Sequence, residues 1–491
     1  MPTRFDCSPS TRRWPIPSRP AACSGCDTDA ERRAPSHTRT PHPAAARIRV
    51  KDTAPGYRTL VRLAIPVILA NAATPLLGLA DTAVIGRTGD ATAIGAIALG
   101  ALIFSVLSWG FAFLRMGTTG FVAQAAGAGD PVEVRAIVAR TLITGLFLGM
   151  ALILLQIPLR VAALGLLGGS EPVETGVRHY FHIRIWGAPA TLGLYALLGT
   201  LIGLGRMHAL LGLQLLLNGL NLALDVGFVL GLGWGVRGIA LGTVIAEWIA
   251  FAVGCRLVWR LIHPGRRSQT AMWPWKRILM RHEWRRMMSA NTDILWRTLA
   301  LLAGFAWFTN QGARFGDVTL AANHILMQFT ILSAFFLDGF AFVLESQVGH
   351  AKGAREAKRL RLVVIRSTVL AGITATALSL VILLAGPWLV DRLTTLESVR
   401  EQARIALPWA ALYVACSFPA FQLDGIFVGA GDSRPMRNAT VMALLSFLVA
   451  ALLLVPRAEN HGLWIAFVGY VIARGLFLGR YLPRLARQLR S

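Results

Sequence analysis

The sequence predicts an all-α integral membrane protein, with twelve transmembrane helices in two six-helix lobes related by a pseudo-two-fold parallel repeat. Three observations predict it. Of 491 residues, 55% are hydrophobic and only 15% charged, and mean hydropathy is +0.56. Soluble domains carry about a quarter charged residues. The apolar residues come in blocks long enough to cross a bilayer core, which takes roughly 20 helical residues. Finally, short glycine motifs recur between the two halves at one fixed offset.

Residues 1–55 stand apart. They are rich in Pro, Arg, Ser and Thr and have no apolar period, a composition that cannot bury enough surface to fold. They also lack the apolar stretch of a secretory signal. The segment is read as a disordered cytoplasmic tail or as the result of a start codon assigned too early. Cys23 and Cys26 form a C-x2-C with His37 and His42 beyond. The spacer is short and almost nothing apolar stands behind it, so no metal site is expected. Cys255 and Cys416 lie in or beside apolar blocks and read as small core residues.

Spans are expected near 60–86, 95–125, 134–158, 173–204, 208–231 and 236–262, forming a first lobe over 56–265. A basic inter-lobe loop, 266–286, follows. The second set lies near 287–311, 319–349, 362–386, 402–428, 436–456 and 462–482, in a lobe and short basic tail over 287–491. Residues 256–286 hold nine Lys/Arg and 352–366 hold six, whereas the turn near 231–236 has none and that near 457–461 only Arg457. Basic loops alternate with poor ones, which places both termini in the cytoplasm of a plasma (inner) membrane. The net charge of +24 therefore reads as loops facing anionic lipid headgroups. No basic patch belongs to a soluble domain, so nucleic acid is not an expected partner.

Ala123-Gln124-Ala125-Ala126-Gly127-Ala128 ends the second span, and Gly349-His350-Ala351-Lys352-Gly353-Ala354 ends the eighth, 226 residues on. Gly199-x3-Gly203-x-Gly205 and Gly425-x3-Gly429-x-Gly431 are separated by the same 226. Two matches at one offset indicate duplication. Six spans per repeat is even, so the halves share orientation and their axis lies along the membrane normal.

Ionisable residues inside spans are costly and mark sites. Asp81, Tyr180, Asp225 and Thr243 all fall roughly 8–11 Å below the outer mouth at about 1.5 Å per residue. Asn221 is one turn from Asp225 on the same face. These five are expected to converge in the first lobe. Paired carboxylates with neutral oxygens make a site that trades a proton for a cation. Pro66, early in span one, removes a backbone hydrogen bond and reads as a hinge or a static kink. Adding 226 to 81, 221 and 225 gives Trp307, Phe447 and Ala451, so the second lobe lacks this site. Its own acids are Asp293, Asp338, Glu345 and Asp424. Asp293 and Arg297, i,i+4, are expected to neutralise each other. Asp338 and Glu345, seven apart on one face of span eight, read as a path for cationic drugs, as a second proton site, or as packing and salt-bridge residues, and Asp424 joins them as a candidate substrate path. Gly233-Trp234-Gly235-Val236-Arg237-Gly238 reads as G-x-G-x-x-G, but no strand precedes it, so a dinucleotide site is not expected. The chain shows no metal cluster, nucleophile elbow or P-loop, and an enzyme is not expected.

Leu63-Ala64-Ile65-Pro66 leading to Ala80-Asp81-Thr82-Ala83-Val84-Ile85-Gly86 resembles the start of the multidrug and toxic compound extrusion (MATE) family. Phe113-Leu114-Arg115-Met116-Gly117-Thr118-Thr119-Gly120 is similar as well, and so is Asn221-Leu222-Ala223-Leu224-Asp225 with Gly231-Leu232-Gly233-Trp234-Gly235-Val236. Asn291-Thr292-Asp293-Ile294 with Arg297-Thr298, Gln311-Gly312-Ala313-Arg314-Phe315-Gly316-Asp317 and Leu337-Asp338-Gly339-Phe340-Ala341 look like its DinF branch. The resemblance covers residues 58–485. It implies a monomeric, cation-coupled antiporter that uses H+ or Na+, needs no cofactor, and exports cationic or amphipathic drugs by alternating access. It also implies a cation site on Asp81, Tyr180, Asn221, Asp225 and Thr243 and a bending point at Pro66. The chain departs from the branch at His350, where Gln is usual, and at Lys352, where an apolar residue is usual. Neither is expected to affect coupling. The alternative is a lipid or lipid-linked oligosaccharide flippase of the same superfamily. Such flippases need a cationic cavity, which the acids of the first lobe disfavour.

Overall fold

The computed structural model describes residues 54–87, 90–168, 170–263 and 272–488. The tail and its Cys23, Cys26, His37 and His42 lie outside the described residues. Everything described belongs to one unit, Lys51–Ser491, and forms helices joined by short turns, with no strand among the described residues.

In the first lobe, α1 is Tyr57–Gly86, α2 Ala91–Gly110, α3 Phe113–Gly127, α4 Pro131–Leu154, α5 Gln156–Leu167, α6 Glu171–Arg184, α7 Ala188–Gly203, α8 Met207–Val226 and α9 Gly235–Ile262. Short α10, Trp275–Ile278, leads to the second lobe: α11 Arg281–Ala313, α12 Asp317–Gly353, α13 Ala357–Leu393, α14 Glu397–Ala430 and α15 Arg434–Gly479, followed by α16, Leu482–Gln488. Three spans are broken by local chemistry. Span two is α2 and α3, joined by a turn at Phe111–Ala112. Span four is α6 and α7, joined by a 3-10 turn over Ile185–Gly187, with Pro189 opening α7. Span five ends in a π turn, Gly227–Gly231, which begins two residues after Asp225. Conversely, α15 runs through spans eleven and twelve, which part at the non-helical Ala458 and Glu459 just after Pro456. With these joins the helices make the twelve spans. The 12-residue α5 was not expected from the sequence.

Helix starts follow the side chains. Asp90 caps α2 by accepting from Thr92 N–H at 2.9 Å and Ala93 N–H at 3.2 Å. Asp130 does the same for α4, whose first residue is Pro131.

Burial is inverted relative to a soluble protein. Large apolar side chains face outward, among them Phe147, Leu154, Leu166 and Leu384, while Arg135, Arg140, Asp225, Glu247, Asp293 and Glu345 are buried. An apolar exterior around a polar interior suits a lipid solvent.

The lobes meet mainly through α3 against α12, α14 and α11, and through α1 against α12. An apolar cluster of Phe113, Leu114 and Met116 with Ile294, Leu344 and Val348 fills this seam. α1 is helical straight through the buried Pro66.

Candidate cation site in the first lobe

Asp81 sits near the end of α1 and Asp225 in the last turn of α8, the two helices being packed together. Their carboxyls stand within hydrogen-bonding reach of one another. Asp225 is 0% exposed and Asn221, one turn earlier, 1%. Across from them on α9, Thr243 Oγ1 accepts from Asn221 Nδ2 at 3.1 Å and donates to Ile239 O at 2.8 Å. Gly242 beside it has no side chain, and a Cβ there would strike Asp225 Oδ1. Tyr180, buried on α6, lies within electrostatic reach of both aspartates. The five residues selected by depth thus come together.

What distinguishes the site is an excess of acceptors. Asp81 Oδ1, both carboxylate oxygens of Asp225 and Asn221 Oδ1 are buried with no hydrogen-bond partner. Four lone-pair-bearing oxygens without a donor are costly in a dry interior. A proton on one carboxyl, or a hard cation among the oxygens, would satisfy them.

Two residues of this neighbourhood escaped the sequence reading. Arg184, at the end of α6, grips Glu247 of α9 with both terminal nitrogens, at 2.7 and 2.5 Å. Arg184 also reaches Asp81 and Tyr180 electrostatically and lies over the Phe104 ring at 5.1 Å. A depth signal existed: each lies 11 residues after the expected start of its span, at 173 and 236.

The second lobe has no counterpart. Phe447 and Ala451 are buried in an aromatic core in which Phe447 packs on Phe467 at 5.8 Å and Tyr470 at 5.4 Å. Positions 406 and 469, equivalent to Tyr180 and Thr243, are Ala and Gly. The acids of this lobe are already engaged. Asp424 accepts from Arg297 at 2.5 Å and Arg474 at 3.0 Å. Glu345 pairs with Arg115 of the first lobe at 3.5 Å. Asp338 lies within reach of Arg115, Arg297 and Arg474. Three carboxylates and three guanidiniums gather here, with Glu345, Asp424, Arg297 and Arg474 buried and Asp338 and Arg115 half-buried. The expected Asp293–Arg297 pair does not form. Asp293 instead accepts from Arg437 at 2.7 Å and Ser433 at 3.0 Å, because the start of α15 and the Ser433 that precedes it offer these donors while Arg297 bonds Asp424.

The family model MatE matches residues 66–252 and 299–453. The chain belongs to the MatE family. DNA damage-inducible protein F of Escherichia coli is 37% identical over 425 residues, covering 86% of this chain and 91% of that protein. A probable multidrug resistance protein NorM of Deinococcus radiodurans is 31% identical over 464 residues, covering 88% and 96%. A solved outward-facing multidrug resistance MATE family transporter of the MOP superfamily superposes with a TM-score of 0.78 at 20% identity, covering 89% of this chain and 97% of that one. The MatE fold is thus shared along nearly the whole length, and the chain falls in the DinF-like branch of the family.

Proposed function

We propose that this MatE protein exports cationic or amphipathic compounds across the plasma membrane, in exchange for H+ or Na+, by alternating access. The orphaned oxygens of Asp81, Asp225 and Asn221 carry the reading. A site rich in acceptors and poor in donors binds either an inward-moving cation or a cationic substrate, and neutralisation by one removes the attraction for the other. Exchange follows if the two are not stably bound together. Arg184 and Glu247 cancel each other, so the aspartate pair carries the uncompensated charge of this site. Loading from outside neutralises the pair and relaxes α1 about Pro66, and substrate leaves outward. Residues 56–265 and 287–491 act as the two lobes, tethered by 266–286, with basic loops and termini in the cytoplasm. Asp338, Glu345 and Asp424 serve as a charge-balanced substrate path. The flippase reading is less supported, since Arg115, Arg297 and Arg474 are all matched by acids and present no free cationic cavity.

The test is efflux into inside-out vesicles under an imposed pH or sodium gradient. Asp81→Asn and Asp225→Asn, which mimic the neutralised state, should each abolish gradient-driven transport while the protein stays folded. Wild-type pumping by both would move the site elsewhere.

A further inference from the structure

At the end of the molecule that carries the basic loops, the lobes are joined by one hydrogen bond made twice. Gln124 of α3, in the first lobe, donates Nε2–H to Gly429 O of α14, in the second, at 3.0 Å. His350 of α12, in the second lobe, meets Gly203 O of α7, in the first, through Nε2 at 2.9 Å. A carbonyl oxygen only accepts, so Nε2 is the donor and this tautomer is fixed by its partner. Both donors and both acceptors are related by the repeat: 124 and 350 differ by 226, and so do 203 and 429. Each lobe lends its donor to the carbonyl that the other lobe holds at the equivalent place.

The surroundings repeat too. A Cβ on Gly127 would strike the His350 backbone, and a Cβ on Gly353, its equivalent, would strike the Gln124 backbone. A Cβ on Gly349 would strike Ala123, the residue equivalent to it. Helix backbones here pass too close for side chains or for a layer of water. His350 Nδ1 is buried in this contact without a partner.

We infer that Gln124 and His350 are a pair of reciprocal bolts holding the cytoplasmic ends of the lobes together, and that both must release for the inward-facing state to form. The inference rests on the alternating-access reading above. The two bolts differ in chemistry, an amide at Gln124 and an imidazole at His350. The pseudo-two-fold makes separation of the lobes break both bonds in one motion, so the two contributions multiply. Each neutral hydrogen bond is worth a factor of about five in such an equilibrium.

The experiment reads lobe separation directly and needs no substrate. The native cysteines are replaced, and Ala128→Cys and Ala354→Cys, exposed and related by the repeat, carry spin labels. Their distance distribution is measured in lipid nanodiscs by pulsed electron resonance. His350→Ala and Gln124→Ala should each raise the ratio of long to short distances about five-fold, and the double variant about twenty-five-fold. His350→Gln should keep the wild-type distribution, because Gln already makes this bond at the other site. The exchanged pair Gln124→His with His350→Gln should also stay closed, and it guards against alanine variants that fail to fold. Unchanged distances in both alanine variants, or a His350→Gln protein as open as His350→Ala, would overturn the proposal. Because the readout is a distance, it stands whether or not Asp81 and Asp225 couple transport.

Discussion

Arg184 and Glu247 form a bidentate buried ion pair at 2.7 and 2.5 Å, one residue on α6 and the other on α9, beside an aspartate pair with three oxygens that no donor satisfies. The juxtaposition separates two jobs. The matched pair ties the helices that carry Tyr180 and Thr243, while the unmatched acids stay available for exchange.

Removing one member of a buried pair leaves an uncompensated charge, at a cost of about 3–5 kcal/mol, whereas removing both is much milder. Glu247→Gln should therefore lower the thermal midpoint in detergent markedly, and the double variant Arg184→Gln with Glu247→Gln should recover much of the loss. A double variant no more stable than the single one would contradict this account.

Within the proposed site the ligands are unequal. Tyr180→Phe and Asn221→Ala each remove one oxygen or amide of several, so gradient-driven efflux should fall partly, by about ten-fold or less on the scale of one hydrogen bond. Asp225→Asn should leave none. Vesicle transport rates at fixed gradient decide the order, and equal losses in all three variants would refute it.

The aromatic packing of the second lobe makes a graft informative. Ala451→Asp places a carboxyl among buried residues, with Phe447 one turn away and no oxygen ligands at the positions equivalent to Tyr180 and Thr243. An unpartnered carboxyl there stays protonated. The number of protons moved per substrate should be unchanged, and a doubled stoichiometry would show that the site needs only its acids.

A pH effect is expected outside the spans. Burial pushes the Asp130 carboxyl up, but the Arg277 hydrogen bond at 2.5 Å and the Glu133 and Val132 N–H groups outweigh it and hold the group below its ordinary 3.8. A depressed acid contributes stability above its unfolded value and loses it as pH falls through the folded one. The contribution is small, since both side chains are more than a third exposed. Arg277→Ala should melt slightly earlier than wild type at neutral pH, and the gap should close at strongly acidic pH. A gap that persists there would assign it to packing instead.

The fold was legible because lipid demands long apolar blocks and charge sorting, and duplication left its offset in the glycines. The convergence of five first-lobe residues was legible for a related reason: antiparallel spans of known rise convert sequence position into depth, which gathered Asp81, Tyr180, Asp225 and Thr243, and helical spacing added Asn221. Partner choice was not. Asp293 and Arg297 satisfy i,i+4 spacing on one helix, yet each found a donor or acceptor on another helix, a matter of rotation about the helix axis that spacing does not encode. Arg184 with Glu247 and Arg297 with Asp424 are likewise pairs between distant segments. The π turn after Asp225 and the break at Ala458–Glu459 left no pattern beyond nearby Gly and Pro.

The exchanged bonds of Gln124 and His350 have the form of an isologous interface, in which residue i of one copy meets residue j of the other and j meets i. A single six-helix chain with a donor at the first position and a bare glycine carbonyl at the second already holds both halves of the contact. Two such chains side by side in one membrane would bury it twice with no further invention. Fusion into one polypeptide leaves the two copies free to diverge, and here the two donors differ, one an amide and the other an imidazole.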